Sequence, residues 1–384
     1  VSEPASVPRP RRIHNFSAGP AAISERVLER VRAELLDHAG TGASILEHSH
    51  RDADGPVQAA MRHASARLRE LLAIPERYHV LFLHGGAHGQ FAAAPLNLAG
   101  GDGDVGSYLL TGHWSSRARA EGGRFVATEV AADASSLGGR AIPEPAEWRT
   151  DPRSAYLHLC ANETIGGLEL FEDPEWSGPP LVADFTSTLL SRPIDVTRYG
   201  VIYASSGKNL GPAGVTVVIV DDALLTRGAR SDTPSILDWR QAARTTPISS
   251  LVHTPPVFAI YLLGLVLDEL VERGGLEAVE ASARRRSARI YACLDGSGGF
   301  YRNDVAPRFR SRMNVPFRIR GGDVELERRF VAEAEERGLH QLFGHPLYGG
   351  LRASLYSGVP DASVEALAEF LDDFARRFGG VSPA

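Results

Sequence analysis

"GVIYASSGKNLGPAGVTVVIV" (200–220) sets two apolar runs, "VIYA" and "VTVVIV", on either side of a tight glycine turn that carries Lys208. Both runs read as buried strands. Lys208 is the chain's sole lysine; the other 40 of its 41 positive side chains are arginine. A chain that uses guanidinium everywhere else and keeps one lysine in such a turn points to a need for an amine. Arginine is not deprotonated in a protein, whereas a lysine amine can be made nucleophilic.

The pattern extends outward from this pair. "YHVLFLHGG" (78–86) is a buried strand ending in glycines, and "GQFAAAPLNL" (89–98) after it is helical. "VGSYLLTG" (105–112), "GRFVATEV" (123–130), "SAYLHLC" (154–160) and "PPLVADFTS" (179–187) are further strands. Strands alternating with helices imply an α/β fold, with a mostly parallel sheet flanked by helices. From about residue 257 the pattern changes. A long helix, "VFAIYLLGLVLDELVERGG" (257–275), runs into an amphipathic helix at 276–295. "SRMNVPFRI" (311–319), a helix at 323–337, "GGLRASLYSG" (349–358) and a last helix at 361–378 come after it. This predicts a flexible polar arm over 1–12, a large domain over 13–260 and a smaller α+β domain over 261–384. The segment near 13–25 is expected to pack by the active site.

Composition narrows the class. The net charge of −6 and the scattered arginines argue against nucleic acid as the main partner. Two cysteines, Cys160 and Cys293, cannot build a disulfide framework and fit a reducing cytosol. No apolar run is long enough to span a bilayer, and the start "VSEPASVPRPRR" lacks an apolar signal core. A cytoplasmic protein with no membrane partner is expected.

In an open parallel sheet, ligands gather at the carboxyl ends of the strands. Three features fall there. "HGGAHGQ" (84–90) is a glycine-rich strand-to-helix turn whose N–H groups and helix dipole suit a phosphate, although a purely structural turn reads equally well. Asp184 closes an apolar strand, where it either caps the next helix or holds a proton on a heteroaromatic nitrogen. Lys208 ends a following strand. A phosphate cradle, a carboxylate for a ring nitrogen and an amine for an aldehyde are the handles of pyridoxal 5′-phosphate. Trp114 in "TGHWSSRA" can stack on such a ring. A metal reading of His48, His50, His84 and His88 lacks both a paired-histidine helix with glutamate and a cysteine pair.

"NFSAGPAAI" (15–23), "SILEHSHR" (44–51), "HGGAHGQFAAAPLNL" (84–98), "NETIGGLEL" (162–170), the run from Ala183 to Val220, "SRMNVPF" (311–317) and "GGLRASLYSGVP" (349–360) resemble the phosphoserine aminotransferase family. The similarity is collinear over nearly the whole chain. It implies a fold-type I pyridoxal-phosphate transferase of class V. The large domain would hold a mostly parallel seven-stranded sheet, and the enzyme would be a homodimer with shared active sites. By this resemblance Lys208 matches the Schiff-base lysine, Asp184 the pyridine-nitrogen carboxylate and Trp114 the stacking aromatic. Thr164 matches a hydroxyl near the cofactor's phenolic oxygen. Ala87 and His88 lie where the turn donates to the phosphate, and Thr254 matches a threonine reaching the phosphate from the partner subunit. His50 and Arg51 match a pair that holds the substrate's distal anion. Arg352 matches the α-carboxylate arginine and His345 another substrate-side histidine.

Four positions depart from the family's pattern: His88 stands for arginine, Gly207 for glutamine, His253 for asparagine and Pro346 for an arginine. Gly207 and His253 otherwise sit among the cofactor-binding positions. The activity implied is transamination between glutamate and 3-phosphohydroxypyruvate in serine biosynthesis, with a possible extension to vitamin B6 synthesis. The alternative is a specialised relative acting on another acidic or ω-substituted amino or 2-oxo acid, since two cations for a substrate phosphate are missing or titratable.

Overall fold

Seven apolar segments of the first 221 residues pair into one sheet. They are β1 (Tyr78–Leu83), β2 (Val105–Leu110), β3 (Ala127–Asp133), β4 (Ser154–Cys160), β5 (Leu181–Asp184), β6 (Val201–Ser205) and β7 (Thr216–Asp221). Their order is β1-β7-β6-β5-β4-β2-β3. Neighbours run parallel except around β7, which is antiparallel to both β1 and β6. The computed structural model describes residues 12–380 apart from 102, 227, 228 and 347. Save for Arg12, the arm expected over 1–12 therefore lies outside the described residues.

The sheet's strands read as unbroken apolar runs because both faces are covered. Val217, Val218, Ile219 and Val220 are each fully buried. Side chains alternate between faces along a strand, so Val217 and Ile219 join one core while Val218 and Val220 join another. Helices α2 (Pro56–Leu72), α3 (Gly86–Leu98) and α4 (His113–Gly122) flank these strands, while α1 (Glu25–Glu34) lies further out, its Val27 and Val31 packed with Ile45, Tyr261 and Leu262. Along α2, Val57, Met61, Ala64, Leu68 and Leu72 recur at helical spacing and face the first core. Phe91, Ala93, Ala94 and Leu98 of α3 fill the second.

The C-terminal part is built on α5 (Val257–Glu272), α6 (Gly275–Asp295), α7 (Val324–Glu336) and α8 (Asp361–Phe378). Its sheet holds β8 (Tyr301–Arg302), β9 (Asn314–Ile319), β10 (Phe343–His345) and β11 (Gly349–Ser354), all antiparallel, in the order β8-β9-β11-β10. Phe317, Phe330, Phe370 and Phe374 form its core. Packing divides the chain differently from the pattern change near residue 260. Ile260, Leu263, Leu267 and Leu270 of α5, and Leu276 and Val279 of α6, all pack into the large sheet's core, and along α6 the small domain's own core is joined only from Ile290. Conversely, His14–Asn15 pairs in parallel with Leu339–His340, and Phe16 is buried in the small core. The chain thus starts by joining the small domain before entering the large one. Among the described residues no helix is long and apolar enough to cross a membrane.

Candidate active site

The parallel strands bring their carboxyl ends to one edge, where a cleft of about 420 Å³ opens. Its wall includes Ala87, His88, Trp114, Thr164, Asp184, Gly207, Lys208, His345 and Arg352. Nine of the residues singled out in the sequence thus meet in one place.

Lys208 is presented by the turn between β6 and β7. Gly207 takes a left-handed φ of +98° and Gly211 one of +92°, which glycine adopts without the strain a side chain would bring. Gly207 N–H donates to the Gly211 carbonyl (2.8 Å), and Ser206 N–H to the Val215 carbonyl (2.8 Å). The glycine before the lysine, a departure from the family pattern, therefore sits where positive φ is needed. From the N-terminal segment Ala21 N–H donates to the Gly207 carbonyl (2.9 Å), and a Cβ on Gly19 would lie 3.7 Å from Lys208 Cε. Ala18, Gly19 and Pro20 all line the cleft. Burial brings the Lys208 amine down to about 8, opposed by the Asp184 carboxylate. Near neutrality an appreciable share of the amine is therefore free base.

Asp184 is 8% exposed at the end of β5. No helix follows it; instead its Oδ1 accepts from Thr186 N–H (2.8 Å). Burial raises its pKa, while Thr186, Lys208 and His88 pull it back. Thr186 Oγ1 in turn accepts from Ser205 N–H (3.1 Å), which ties the ends of β5 and β6 together.

Trp114 lies in the first turn of α4, with its Nε1–H donating to Thr164 Oγ1 (2.9 Å) and its ring centroid 6.0 Å from Lys208 Nζ. What aims it is a residue that sequence pattern does not single out. Glu163 is fully buried, and its carboxylate accepts from Trp114 N–H (2.9 Å), Ser115 N–H (2.8 Å) and the Ser115 hydroxyl (2.8 Å). It closes the orphan donors at the start of α4 as a capping side chain does, but from a distant strand end. Burial pushes its pKa up and these donors pull it back. The available signal was an acidic residue between Asn162 and Thr164 in an otherwise apolar setting.

Arg352 enters from β11, and its Nη1 donates to the Thr164 carbonyl (3.1 Å), a bond between the two domains. His88 is in the first turn of α3, after Gly85 and Gly86, whose φ values are +92° and +64°. Gly86 N–H donates to Thr216 Oγ1 (2.9 Å). The next N–H groups of this thirteen-residue helix, at Ala87 and His88, have no intrahelical partner by position, and both residues line the cleft.

The remaining predicted residues stay outside this cleft's wall. The His50 carbonyl accepts from Gln58 Nε2 (2.9 Å), and Arg51 is exposed on the same loop. His253 and Thr254 are exposed beside the glycine turn. The His253 ring is 4.7 Å from that of His84, and His84 Nε2 is 3.3 Å from the Thr254 carbonyl. Pro346 is exposed in the turn after β10. Among the described residues no group of three or more His, Cys, Asp or Glu is placed to hold a metal ion.

The cleft's donor set fits pyridoxal 5′-phosphate. A depressed amine stands near a buried carboxylate, an indole and hydroxyl flank them, and a helix N-terminus with free N–H groups closes one side. The buried Oδ1 of Asn162, another cleft residue, has no partner of its own. The family described as aminotransferase class-V matches residues 13–367. The phosphoserine aminotransferase of Stenotrophomonas maltophilia (strain R551-3) is 47% identical over 370 residues, 96% of this chain and 99% of that protein. The structure of phosphoserine aminotransferase from Bacillus circulans subsp. alkalophilus superimposes with a TM-score of 0.91 at 42% identity, covering 96% of this chain and 99% of that one. That of the PLP-bound enzyme from Trichomonas vaginalis gives 0.87 at 35% identity, covering 94% and 99%. With this likeness spanning both domains and the cleft between them, the chain belongs to the class-V aminotransferases and, within them, to the phosphoserine aminotransferases.

Proposed function

We propose that the protein moves the amino group of glutamate to 3-phosphohydroxypyruvate, giving phosphoserine and 2-oxoglutarate, with pyridoxal 5′-phosphate as cofactor. The observation that carries this is the meeting of Lys208, Asp184, Trp114 and Arg352 in one cleft, within a chain of this family. When bound, the cofactor supplies an electron sink for the carbanion left as the substrate Cα loses its proton. Lys208 would hold the cofactor's aldehyde carbon through its nitrogen, and its released amine would take and return the Cα proton. A pKa brought down to about 8 suits both tasks near neutrality. The Asp184 carboxylate would keep the ring nitrogen protonated. Trp114 would cover a ring face, the Thr164 hydroxyl would meet the phenolic oxygen, and the N–H groups of Ala87 and His88 would take the phosphate. Arg352 would hold the substrate α-carboxylate with two parallel N–H donors.

A homodimer with shared sites is part of this reading. His50, Arg51, His253 and Thr254 line no part of their own cleft, which supports their serving the cleft of a second copy. The two free buried cysteines support a reducing, cytoplasmic setting. Steady-state turnover of glutamate with 3-phosphohydroxypyruvate, read as 2-oxoglutarate release, tests the assignment. Negligible turnover alongside brisk reaction of another 2-oxo acid would replace it with the specialised-relative reading, which His88 and Pro346, standing where the family has arginine, motivate.

A further inference from the structure

Asn209 follows Lys208 directly, yet it takes no part in the cleft's wall. It is 3% exposed, and its amide joins separate segments of the chain. Oδ1 accepts from Ser357 N–H (3.0 Å), while Nδ2 donates to the Leu189 carbonyl (3.2 Å) and lies 3.7 Å from Met313 Sδ. A backbone N–H only donates and a carbonyl only accepts, so the amide has one orientation here. A carboxylate would lose the Leu189 bond, and an apolar side chain of the same size would lose both.

Each partner belongs to a segment that carries a group of the cleft. Ser357 follows β11, the strand of Arg352. Its carbonyl accepts from Arg273 Nη1 (3.1 Å) at the end of α5, so both of its backbone groups are held from the large domain. Leu189 belongs to the turn that follows Asp184, Thr186 and Ser187, all of which line the cleft. The next residue, Leu190, is buried with a left-handed φ of +64°. Such backbone in a residue other than glycine persists only where its surroundings hold it, and the bond from Asn209 to the preceding carbonyl is one such hold. One buried amide thus ties together the segments of the amine, the carboxylate and the guanidinium.

We propose that Asn209 is a positioning residue that acts from behind the turn, fixing where the Lys208 amine stands relative to Asp184 and Arg352. This deepens the transamination reading and rests on it for the kinetic arm of the test only.

The first arm is trinitrophenylation of Lys208 in the full chain without cofactor, followed across pH. Asp184 from β5, Cys160 from β4, Glu163 just beyond it and Arg352 from β11 all act on this amine, and the Trp114 ring lies beside it. Burial is the largest influence and Arg352 acts in the same direction, so loosening the turn should move the half-point of labelling upward from about 8. In Asn209→Ala a rise of about one pH unit, tenfold in proton affinity, is expected. The second arm is steady-state turnover by the holoenzyme. Misplacing the amine should lower kcat about tenfold to a hundredfold and leave KM for each substrate within about threefold.

Asn97 supplies the matched control. It is 5% exposed, donates to the Ala93 and Leu237 carbonyls and accepts from Trp239 N–H, and it lines no part of the cleft. Asn97→Ala should lower the thermal midpoint much as Asn209→Ala does, yet leave the labelling half-point and kcat as in the wild type. Should Asn209→Ala fail to fold, Asn209→Leu, which keeps the volume and removes both bonds, is expected to change both readouts in the same direction. A labelling half-point and a kcat unaltered in the Asn209 variant, or altered equally by Asn97→Ala, overturn the proposal. If the wild type fails to use 3-phosphohydroxypyruvate, the assigned reaction fails instead, and the labelling arm alone decides the role of Asn209.

Discussion

Replacing Glu163 by glutamine changes a single oxygen to an amide at the point where α4 is fastened. The native carboxylate takes four donors, Trp114 N–H, Ser115 N–H and the Ser115 hydroxyl at 2.8–2.9 Å and the Thr111 hydroxyl at 3.5 Å. Glutamine can still accept at one oxygen but turns an NH2 toward a backbone N–H, so one of the two helix-start contacts becomes donor against donor. A hydrogen bond to a charged group contributes about 1.5–3 kcal/mol, and an unpaired buried donor costs about 1–3 kcal/mol. A loss of about 3 kcal/mol is therefore expected, a large share of a typical domain's ~5–15 kcal/mol. At roughly 2 cal/mol/K of unfolding entropy per residue, that lowers the thermal midpoint by about 4 °C for cooperative unfolding of the chain. The assay is calorimetry of the wild type, Glu163→Gln, Ser115→Ala and the double variant. Because both residues share one network, the cycle should show a coupling of about 1 kcal/mol or more. Activity should fall as well, since the same carboxylate places the Trp114 ring. A midpoint within about 1 °C of the wild type, together with additive single effects, would refute the idea that Glu163 anchors this helix.

Two further outcomes are expected at the cleft. Because Lys208 is the sole lysine, trinitrophenylation of the cofactor-free protein, followed by digestion, reads one side chain. Below about pH 8 the amine is an inert ammonium and above it a free base, so labelling should be half-maximal near 8; a midpoint close to 10.5 would contradict the desolvated setting. Arg352→Lys removes a planar two-donor fork and the bond to the Thr164 carbonyl. KM for both the amino donor and the oxo acid should rise about tenfold or more, and a KM unaltered for both would exclude this residue as the shared carboxylate partner.

The strands around Lys208 were legible because a sheet covered on both faces demands continuous apolar runs, and glycine turns mark where each run stops. With direction and order constrained by that architecture, Asp184 and Lys208 had to emerge at the same edge. The limits of the small domain were not legible. Helical spacing in 257–272 says that Ile260, Leu263 and Leu267 are buried, but periodicity carries no record of which core receives them, and they pack on the large sheet. Glu163 was hidden for a related reason: the N–H groups that hold it belong to Trp114 and Ser115, 49 and 48 positions away. Asn209 and Ser357 meet across 148 positions and two domains. Sequence alone determined which side chains stand at the floor of the cleft, Asp184 and Lys208 among them, because short-range pattern and strand direction place those groups. Tertiary structure alone decided what fastens them in place, because contacts between remote segments depend on how two packed bodies dock and leave no local trace in the chain.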